Sequence, residues 1–297
     1  MLVLALGPIV IQCFDLAPTL AVVASLAVMS TRGRQALFGM LLGTGVLLKV
    51  WPVLGVLACR TRQRLVHTLG WCVATVLVVT GVSSTFLGNT LGFISNQGGR
   101  GLQTEAIVAT PWFVREALTH TAIRTQFSSG VLEISGSVAS DLASALRVMF
   151  VVAAGLAYWW FTQTRHGRSL SIGRARDAVF TATLCYIVVS PVLSPQYLIW
   201  LIGLGAICRC SSDSVMKRPV EVIAIAVVMT RFMFGVPTQL YGGPGTASLD
   251  PTTGVALLQA ARNILLLLAA CDAARLLLTR ETRGRRVANE GPSVAAR

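Results

Sequence analysis

Long apolar runs alternate with short basic turns along most of the chain, and several runs approach the length that crosses a lipid bilayer. Basic clusters stand at the ends of these runs, which is the positive-inside pattern of membrane proteins. The pattern predicts an all-α, polytopic integral membrane protein. The predicted membrane crossings are residues 16–30, 66–87, 142–161, a segment that begins at 175, a return segment within 190–207, 220–236 and 254–278.

The block from Gln35 to Cys59 has basic clusters at both ends, so a single straight crossing would put one cluster on the wrong side. We therefore predict a hairpin of two short apolar helices, with Lys49 near its apex and Pro52 starting the return, where the missing proline donor costs least. A lysine inside a membrane segment is either functional or snorkels to the interface, and the pattern leaves both readings open.

The stretch from Leu91 to Phe113 is a polar interruption between two apolar blocks. Arg100, Gln103 and Glu105 stand in it beside several glycines, which let backbone approach a ligand closely. Charge asymmetry predicts that the whole loop 88–141 lies outside, with 111–122 as an amphipathic surface helix. The alternative is a solvated loop in which the arginine and glutamate only pair with each other.

Composition agrees with the apolar pattern: 54% of the residues are hydrophobic and only 12% are charged. The net charge of +13 would indicate a nucleic-acid partner in a soluble chain, but here the basic residues mostly flank apolar runs, so we expect no nucleic acid. The 7 cysteines show no paired CxxC spacing, and the histidines are scattered, so we expect neither disulfides nor a metal. Arg231, Arg262 and Asp272 lie inside apolar runs. Such residues either form structural ion pairs or line a substrate path, and the sequence leaves both readings open.

Two regions follow from the charge pattern. Residues 1–278 are predicted to be membrane-embedded, and residues 279–297 to be a basic, disordered cytoplasmic tail. The opening apolar stretch of about 12 residues is too short to span a bilayer and lacks the features of a signal peptide.

Three separated segments can be read together: KVWP at 49–52, GGRGLQTEAIVATPW at 98–112 and LSPQYLIW at 193–200. Their ordered set resembles glycosyltransferase family 87, the polyprenyl-phosphate-sugar-dependent GT-C enzymes that include α-(1→2)-mannosyltransferases. The stretch from Phe14, FDLAPTLAVVASLAV, is also similar to that family. The resemblance implies a GT-C helix bundle in the cell membrane that transfers a hexosyl residue, in the first instance mannosyl, from a lipid phosphate to an extracytoplasmic lipoglycan or glycolipid. It implies no cofactor and an active face outside the cell.

The resemblance also implies roles for named residues. Lys49 and Arg100 would bind the lipid phosphate, and Gln103 and Tyr197 would contact sugar or acceptor, together with Glu105. An inverting transfer needs a carboxylate base to take the acceptor hydroxyl proton, for which Asp15 and Glu105 are the candidates.

GT-C enzymes generally carry their catalytic acidic residue in the first large outer loop, and this chain starts after that point in the resemblance. We therefore expect it to be the C-terminal part of a longer enzyme and inactive by itself. The alternatives are a non-catalytic membrane protein and a transporter. A transporter should show inverted repeats, and the sequence has no convincing internal repeat.

Overall fold

A computed structural model of the chain describes residues 6, 10, 14–29, 31, 33–59, 61–87, 101–121, 123–128, 131–164, 171–235 and 253–289, with the backbone alone at 154, 156–164, 234–235, 253 and 280–289. Helices dominate it, as the apolar pattern predicted. The α-helices are α1 (Leu16–Val28), α2 (Gln35–Leu48), α3 (Arg62–Leu87), α4 (Thr110–Thr119), α5 (Ser137–Thr164), α6 (Ile172–Val189), α7 (Tyr197–Arg209), α8 (Lys217–Gly235) and α9 (Thr253–Asn289). Two 3-10 helices cover Trp51–Ala58 and Ile107–Ala109.

Within the described residues, 2 helices are long and apolar enough to cross a membrane by length and composition: Arg62–Phe86 of α3 and Gly254–Thr279 of α9. The predicted first crossing at residues 16–30 is shorter than expected, because α1 ends after 13 residues. At 1.5 Å per residue it is about 20 Å long, against a hydrocarbon core of about 30 Å. By itself α1 does not span.

The predicted hairpin in the block 35–59 is confirmed. Helix α2 ends at Leu48, and Lys49 has an extended backbone that breaks the helix. The chain returns as the 3-10 helix Trp51–Ala58 with Pro52 in its first turn, where a missing N–H leaves no hydrogen bond unmade. Lys49 therefore lies at the apex.

Helix α2 packs against α3 through two glycines spaced four residues apart. A Cβ atom on Gly39 would lie 2.7 Å from both the Thr68 carbonyl oxygen and Trp71 Cβ, and one on Gly43 would lie 2.7 Å from the Cys72 carbonyl oxygen. Only glycine permits this backbone approach, which is the GxxxG mode of helix packing in membranes.

The main core lies between α1, α2, the 3-10 helix after α2, α6, α7, α8 and α9, and Trp200 of α7 is its largest fully buried side chain. The outer faces of the helices are apolar as well. Helix α3 exposes large hydrophobic side chains around most of its circumference, including Val66 (63%), Leu77 (66%) and Phe86 (83%).

The loop 88–141 contains a small sheet, which the all-α prediction missed. Strands β1 (Leu102–Gln103), β2 (Thr125–Ser128) and β3 (Val131–Ile134) form an antiparallel sheet in the order β1-β3-β2. Gln103 is paired with Glu133, and Phe127 with Leu132. A second hydrophobic core joins this sheet to α4, to the start of α5 and to Ala256 at the start of α9. The predicted amphipathic helix at 111–122 is present as α4, with Phe113, Glu116 and Ala117 buried.

The predicted cytoplasmic turns meet at one end of the bundle. Arg176 on α6 donates to Ser211 Oγ (2.6 Å) and to the Leu26 carbonyl (3.2 Å), which ties α6 to the turn after α7 and to the last residues of α1. Asp177 accepts a hydrogen bond from the Val215 N–H. The opposite end of the bundle holds Asp15 at the start of α1, Lys49 at the end of α2, and the connection 190–196 after α6.

Helix α9 continues to Asn289, so the predicted disordered tail is helical over its first residues. The segment after Leu278 contains arginine and glutamate, which are good helix formers, and a helix that already exists is extended at little cost. Residues 290–297 lie outside the described part of the chain, and a disordered cytoplasmic tail stays a prediction.

Candidate functional site

Asp15 and Lys49 form an ion pair at the end of the bundle that holds the hairpin apex. Lys49 Nζ lies 2.6 Å from Asp15 Oδ1, and the side chains are 24% and 3% exposed, respectively. The pair forms because the N-terminus of α1 and the C-terminus of α2 lie at the same end of the bundle. The contact holds two segments 34 residues apart in sequence.

Aromatic rings surround this pair. The Trp200 indole N–H donates to Asp15 Oδ1 at 2.6 Å. Lys49 Nζ lies 4.8 Å from the ring centroid of Tyr197 and 4.9 Å from that of Trp200, within the range of a cation–π contact. Tyr197 and Trp51 both stack on Trp200, with centroid separations of 4.1 and 4.7 Å. We call Asp15, Lys49, Trp51, Tyr197 and Trp200 the Lys49 cluster.

The Lys49 cluster is rich in hydrogen-bond donors. The Trp51 indole N–H is buried and has no hydrogen-bond partner among the described residues. An unpaired buried donor costs about 1–3 kcal/mol, so a ligand acceptor at this point would recover that cost. Lys49 is the most accessible member, and its ammonium charge is balanced by Asp15, so the cluster offers hydrogen-bond donors to a ligand with acceptor atoms such as phosphate oxygens.

Glu105 lies in a second polar centre, where it meets Arg262 of α9. Arg262 Nη1 lies 3.4 Å from Glu105 Oε2, and the arginine side chain is completely buried. Arg262 Nη2 also donates to the Glu105 carbonyl oxygen at 3.0 Å. Burial raises the pKa of Glu105 to about 7, and the Arg262 charge opposes that rise.

Two further α9 side chains hold the same loop. Gln259 Nε2 donates to the Thr104 carbonyl at 2.8 Å, and Asn263 Nδ2 donates to Thr110 Oγ1 at 2.7 Å. Gln259, Arg262 and Asn263 follow the i, i+3, i+4 spacing of one helix face. This polar stripe fixes the segment 104–110 to the bundle, so we call it the α9 tether.

Gln103 connects the sheet to the segment between α6 and α7, since its backbone N–H donates to the Pro191 carbonyl at 2.9 Å. Its side chain is buried, as is that of Glu133, its partner across the sheet. In each residue the Oε1 atom has no hydrogen-bond partner in the described structure. Gly101 allows this arrangement, because a Cβ there would lie 2.7 Å from Glu133 Oε2.

The structure thus brings three of the predicted site residues, Asp15, Lys49 and Tyr197, into one cluster. Tyr197 is only 6% exposed, so its ring supports Lys49 rather than offering an open face. Glu105 and Gln103 lie in the neighbouring loop, each in its own set of contacts. Arg100 lies outside the described residues. The assigned roles in sugar and phosphate binding remain predictions.

Sequence reasoning missed Trp51, Trp200 and Glu133, and left Arg262 open between two readings. Trp51 and Trp200 stood inside the quoted motifs KVWP and LSPQYLIW, where a donor-bearing aromatic ring is a signal for a polar site. Arg262 forms an ion pair with Glu105. The signal for it was that three polar residues, Gln259, Arg262 and Asn263, lie on one face of an otherwise apolar helix.

Comparison with the known protein families, with curated proteins and with solved structures found no match to this chain. Within the described residues, no group of three or more His, Cys, Asp or Glu side chains could hold a metal ion. Within the described ranges no cysteine forms a disulfide, and Cys208 is buried whereas Cys210 is exposed.

Proposed function

We propose that this protein is a multi-pass membrane glycosyltransferase of the GT-C type, which transfers a hexosyl residue from a polyprenyl-phosphate sugar to an extracytoplasmic glycolipid or lipoglycan. The observation that carries the proposal is the meeting of the motif segments. KVWP supplies Lys49 and Trp51, and LSPQYLIW supplies Tyr197 and Trp200, to one cluster. The third segment contacts the chain just before LSPQYLIW, through the hydrogen bond from the Gln103 N–H to the Pro191 carbonyl.

The membrane part of the proposal is supported by the distribution of apolar surface. Apolar surface that is exposed around most of a long helix is rare in soluble monomers, whereas in a membrane lipid covers such surface. Helix α3 is long enough to span and is exposed around most of its surface. Lipid contact also suits α5, α8 and α9, which expose Val151, Phe232 and Leu268.

In the proposed reaction the Lys49 cluster receives the phosphate of the donor. Lys49 stabilises the charge that builds on the phosphate as the glycosidic bond breaks, and the Trp51 N–H provides an additional donor. Asp15 holds the Lys49 ammonium in place with the help of the Trp200 N–H. Both contacts use Asp15 Oδ1, so this carboxylate serves to position Lys49.

Glu105, the other candidate base, has acid–base chemistry suited to that role. General-base catalysis is most effective when the pKa of the base is close to the working pH. The pKa of Glu105 is raised to about 7, and its side chain is 17% exposed. We therefore assign it the role of accepting the acceptor hydroxyl proton.

The test is transfer of labelled mannose from polyprenyl-phosphate mannose to endogenous lipid in membranes that contain the full chain. With Glu105 as the base, we expect the wild-type chain to transfer sugar above the level of empty membranes, contrary to the inactivity predicted from the sequence alone. Lys49→Gln should reduce the rate by about tenfold or more, as expected for one charged hydrogen bond to the reacting group. The control is Arg209→Gln, because Arg209 forms an exposed ion pair with Glu221 at the other end of the bundle. Equal rates in wild type and Lys49→Gln, at equal protein levels, would contradict the proposal.

A further inference from the structure

A recess opens at the end of the bundle opposite the Lys49 cluster. Its cavity volume is about 30 Å³, and it opens to solvent between the turn that follows α1 and the turn that precedes α3. Its lining includes Met29, Arg34, Phe38, Cys59, Arg64 and Thr68. We call it the Arg34–Arg64 recess.

Among the described residues that line the recess, Arg34 and Arg64 are charged and none is a carboxylate, so the recess is positively charged. No described carboxylate forms an ion pair or hydrogen bond with Arg34 or Arg64. The carboxylates at this end of the bundle bind other groups: Asp177 binds Ser214 and Val215, Asp213 binds the Gly173 N–H, Glu221 binds Arg209, and Asp272 lies next to Arg218. Two uncompensated guanidinium groups beside a partly enclosed space attract an anion.

The backbone adds to this field. Helices α2 and α3 both begin at the recess, at Gln35 and Arg62, and helix N-termini carry partial positive charge. The N-cap position of α2 is Arg34 itself, and its side chain caps no backbone amide. Within the described residues no side chain accepts a hydrogen bond from the first amides of α2, and the left-handed Gly33 (φ +83°) precedes this helix start.

Apolar side chains continue from the recess along the outer faces of the same helices. Leu37 and Met40 on α2 are 39% and 37% exposed, and Val66 and Leu69 on α3 are 63% and 36% exposed. They lie within two turns of Arg34 and Arg64, respectively. A ligand that fits both the two arginines and these apolar faces has a phosphate head group and hydrocarbon chains.

We infer that the Arg34–Arg64 recess binds the phosphate of an anionic phospholipid, with its acyl chains along the exposed faces of α2 and α3. Basic pockets between membrane helices at the cytoplasmic interface are suited to such head groups. The predicted topology places this end of the bundle in the cytoplasmic leaflet, on the side opposite the proposed sugar transfer. The inference involves no sugar chemistry, so its failure would leave the proposed function unaffected, and the converse also holds.

The experiment is native mass spectrometry of the full chain released from detergent, titrated with dioleoyl-phosphatidylglycerol, with dioleoyl-phosphatidylcholine, or with inorganic phosphate. We expect one tightly bound phosphatidylglycerol, with weaker binding of phosphatidylcholine. The Arg34→Gln/Arg64→Gln variant should bind phosphatidylglycerol at least about tenfold more weakly, since each arginine near a charged membrane surface contributes about a fivefold effect.

Two variants separate this site from general electrostatic attraction. Arg34→Lys/Arg64→Lys retains the charge and should retain most of the affinity, which also shows that the recess tolerates substitution. Arg209→Gln removes a positive charge from the same end of the bundle and should leave phosphatidylglycerol affinity unchanged. Equal losses in Arg209→Gln and the double glutamine variant, or no loss in the double variant, would overturn the inference. Inorganic phosphate that displaces phosphatidylglycerol at equal concentration would overturn the lipid as the source of the phosphate.

Discussion

Arg262, which has no exposed side-chain surface, lies 3.4 Å from the carboxylate of Glu105, a residue 157 positions earlier in the chain. A buried guanidinium is expensive unless its charge and its N–H groups are satisfied, and here the carboxylate, the Glu105 carbonyl and the Asn263 side chain satisfy them. The pair fixes the polar loop to α9 and thereby keeps Glu105 at a defined position near the bundle end.

A double-mutant cycle measures this pair. At pH 8, where the carboxylate is mostly ionised, Arg262→Met should lower the free energy of unfolding by roughly 3 kcal/mol, because one charge is left buried without its partner. Glu105→Gln should destabilise as well, and the double variant should recover part of the loss. Arg275→Met, an exposed position on the same helix, is the control and should have little effect. Strictly additive losses would show that the two residues are not coupled.

Stability should depend on pH through Glu105. Its native pKa is about 7, above the ordinary value of 4.5, so the native state binds more protons than the unfolded state between these values. The resulting stabilisation is complete below pH 4.5 and is lost as the pH rises through 7, on the order of 3 kcal/mol in total. We expect wild type to lose stability relative to Glu105→Gln between pH 5 and pH 8 in detergent. A pH-independent difference between the two proteins would contradict the raised pKa.

The glycine contact between α2 and α3 predicts a position-specific sensitivity. Gly43→Ala places a Cβ 2.7 Å from the Cys72 carbonyl oxygen and 2.9 Å from Thr75 Cβ, which should cost about 1–3 kcal/mol through overpacking. Gly81→Ala on α3 is the matched control, since a Cβ there has no neighbour within 4 Å. That variant should be neutral or stabilised by up to about 1 kcal/mol. Thermal unfolding in detergent compares them, and equal midpoints would mean that the two helices do not approach as described.

Much of the helical framework could be predicted from the sequence because its signals are local. The break at Lys49 and Pro52 and the interruption by two prolines between α6 and α7 are readable from composition alone, and the structure has both. The sheet was missed because strands of two to four residues carry too little periodic pattern to compete with a loop. A hairpin signal was nevertheless present, in two short runs separated by Ser129 and Gly130.

The candidate site was predictable in its members but not in its contacts. Asp15 and Lys49 could be singled out as charges in apolar surroundings, but their pairing depends on where α1 begins relative to the end of α2. Trp200 was hidden because a tryptophan at a membrane interface is commonplace. Only the three-dimensional arrangement shows its N–H on Asp15 and its ring between Trp51 and Tyr197.

The orientation in the membrane predicts a labelling pattern. In a background without native cysteines, Gln126→Cys, in the loop predicted to lie outside, should react with a membrane-impermeant maleimide in intact cells. Gln63→Cys, equally exposed but at the start of α3, should react only after the cells are opened. Labelling of Gln63→Cys and not of Gln126→Cys in intact cells would reverse the orientation.

Donor binding tests the central claim most directly, because it isolates the Lys49 cluster from the later chemical step. The purified chain is titrated with polyprenyl-phosphate mannose while tryptophan fluorescence is recorded, since Trp51 and Trp200 stack within the cluster. The variant is Asp15→Asn/Lys49→Gln, which removes both charges together and leaves none unpaired, with Arg209→Gln as the control. The account predicts saturable quenching in wild type and in the control, and affinity at least about tenfold weaker in the double variant, as for loss of a charged hydrogen bond. Unchanged affinity in a folded double variant would contradict it.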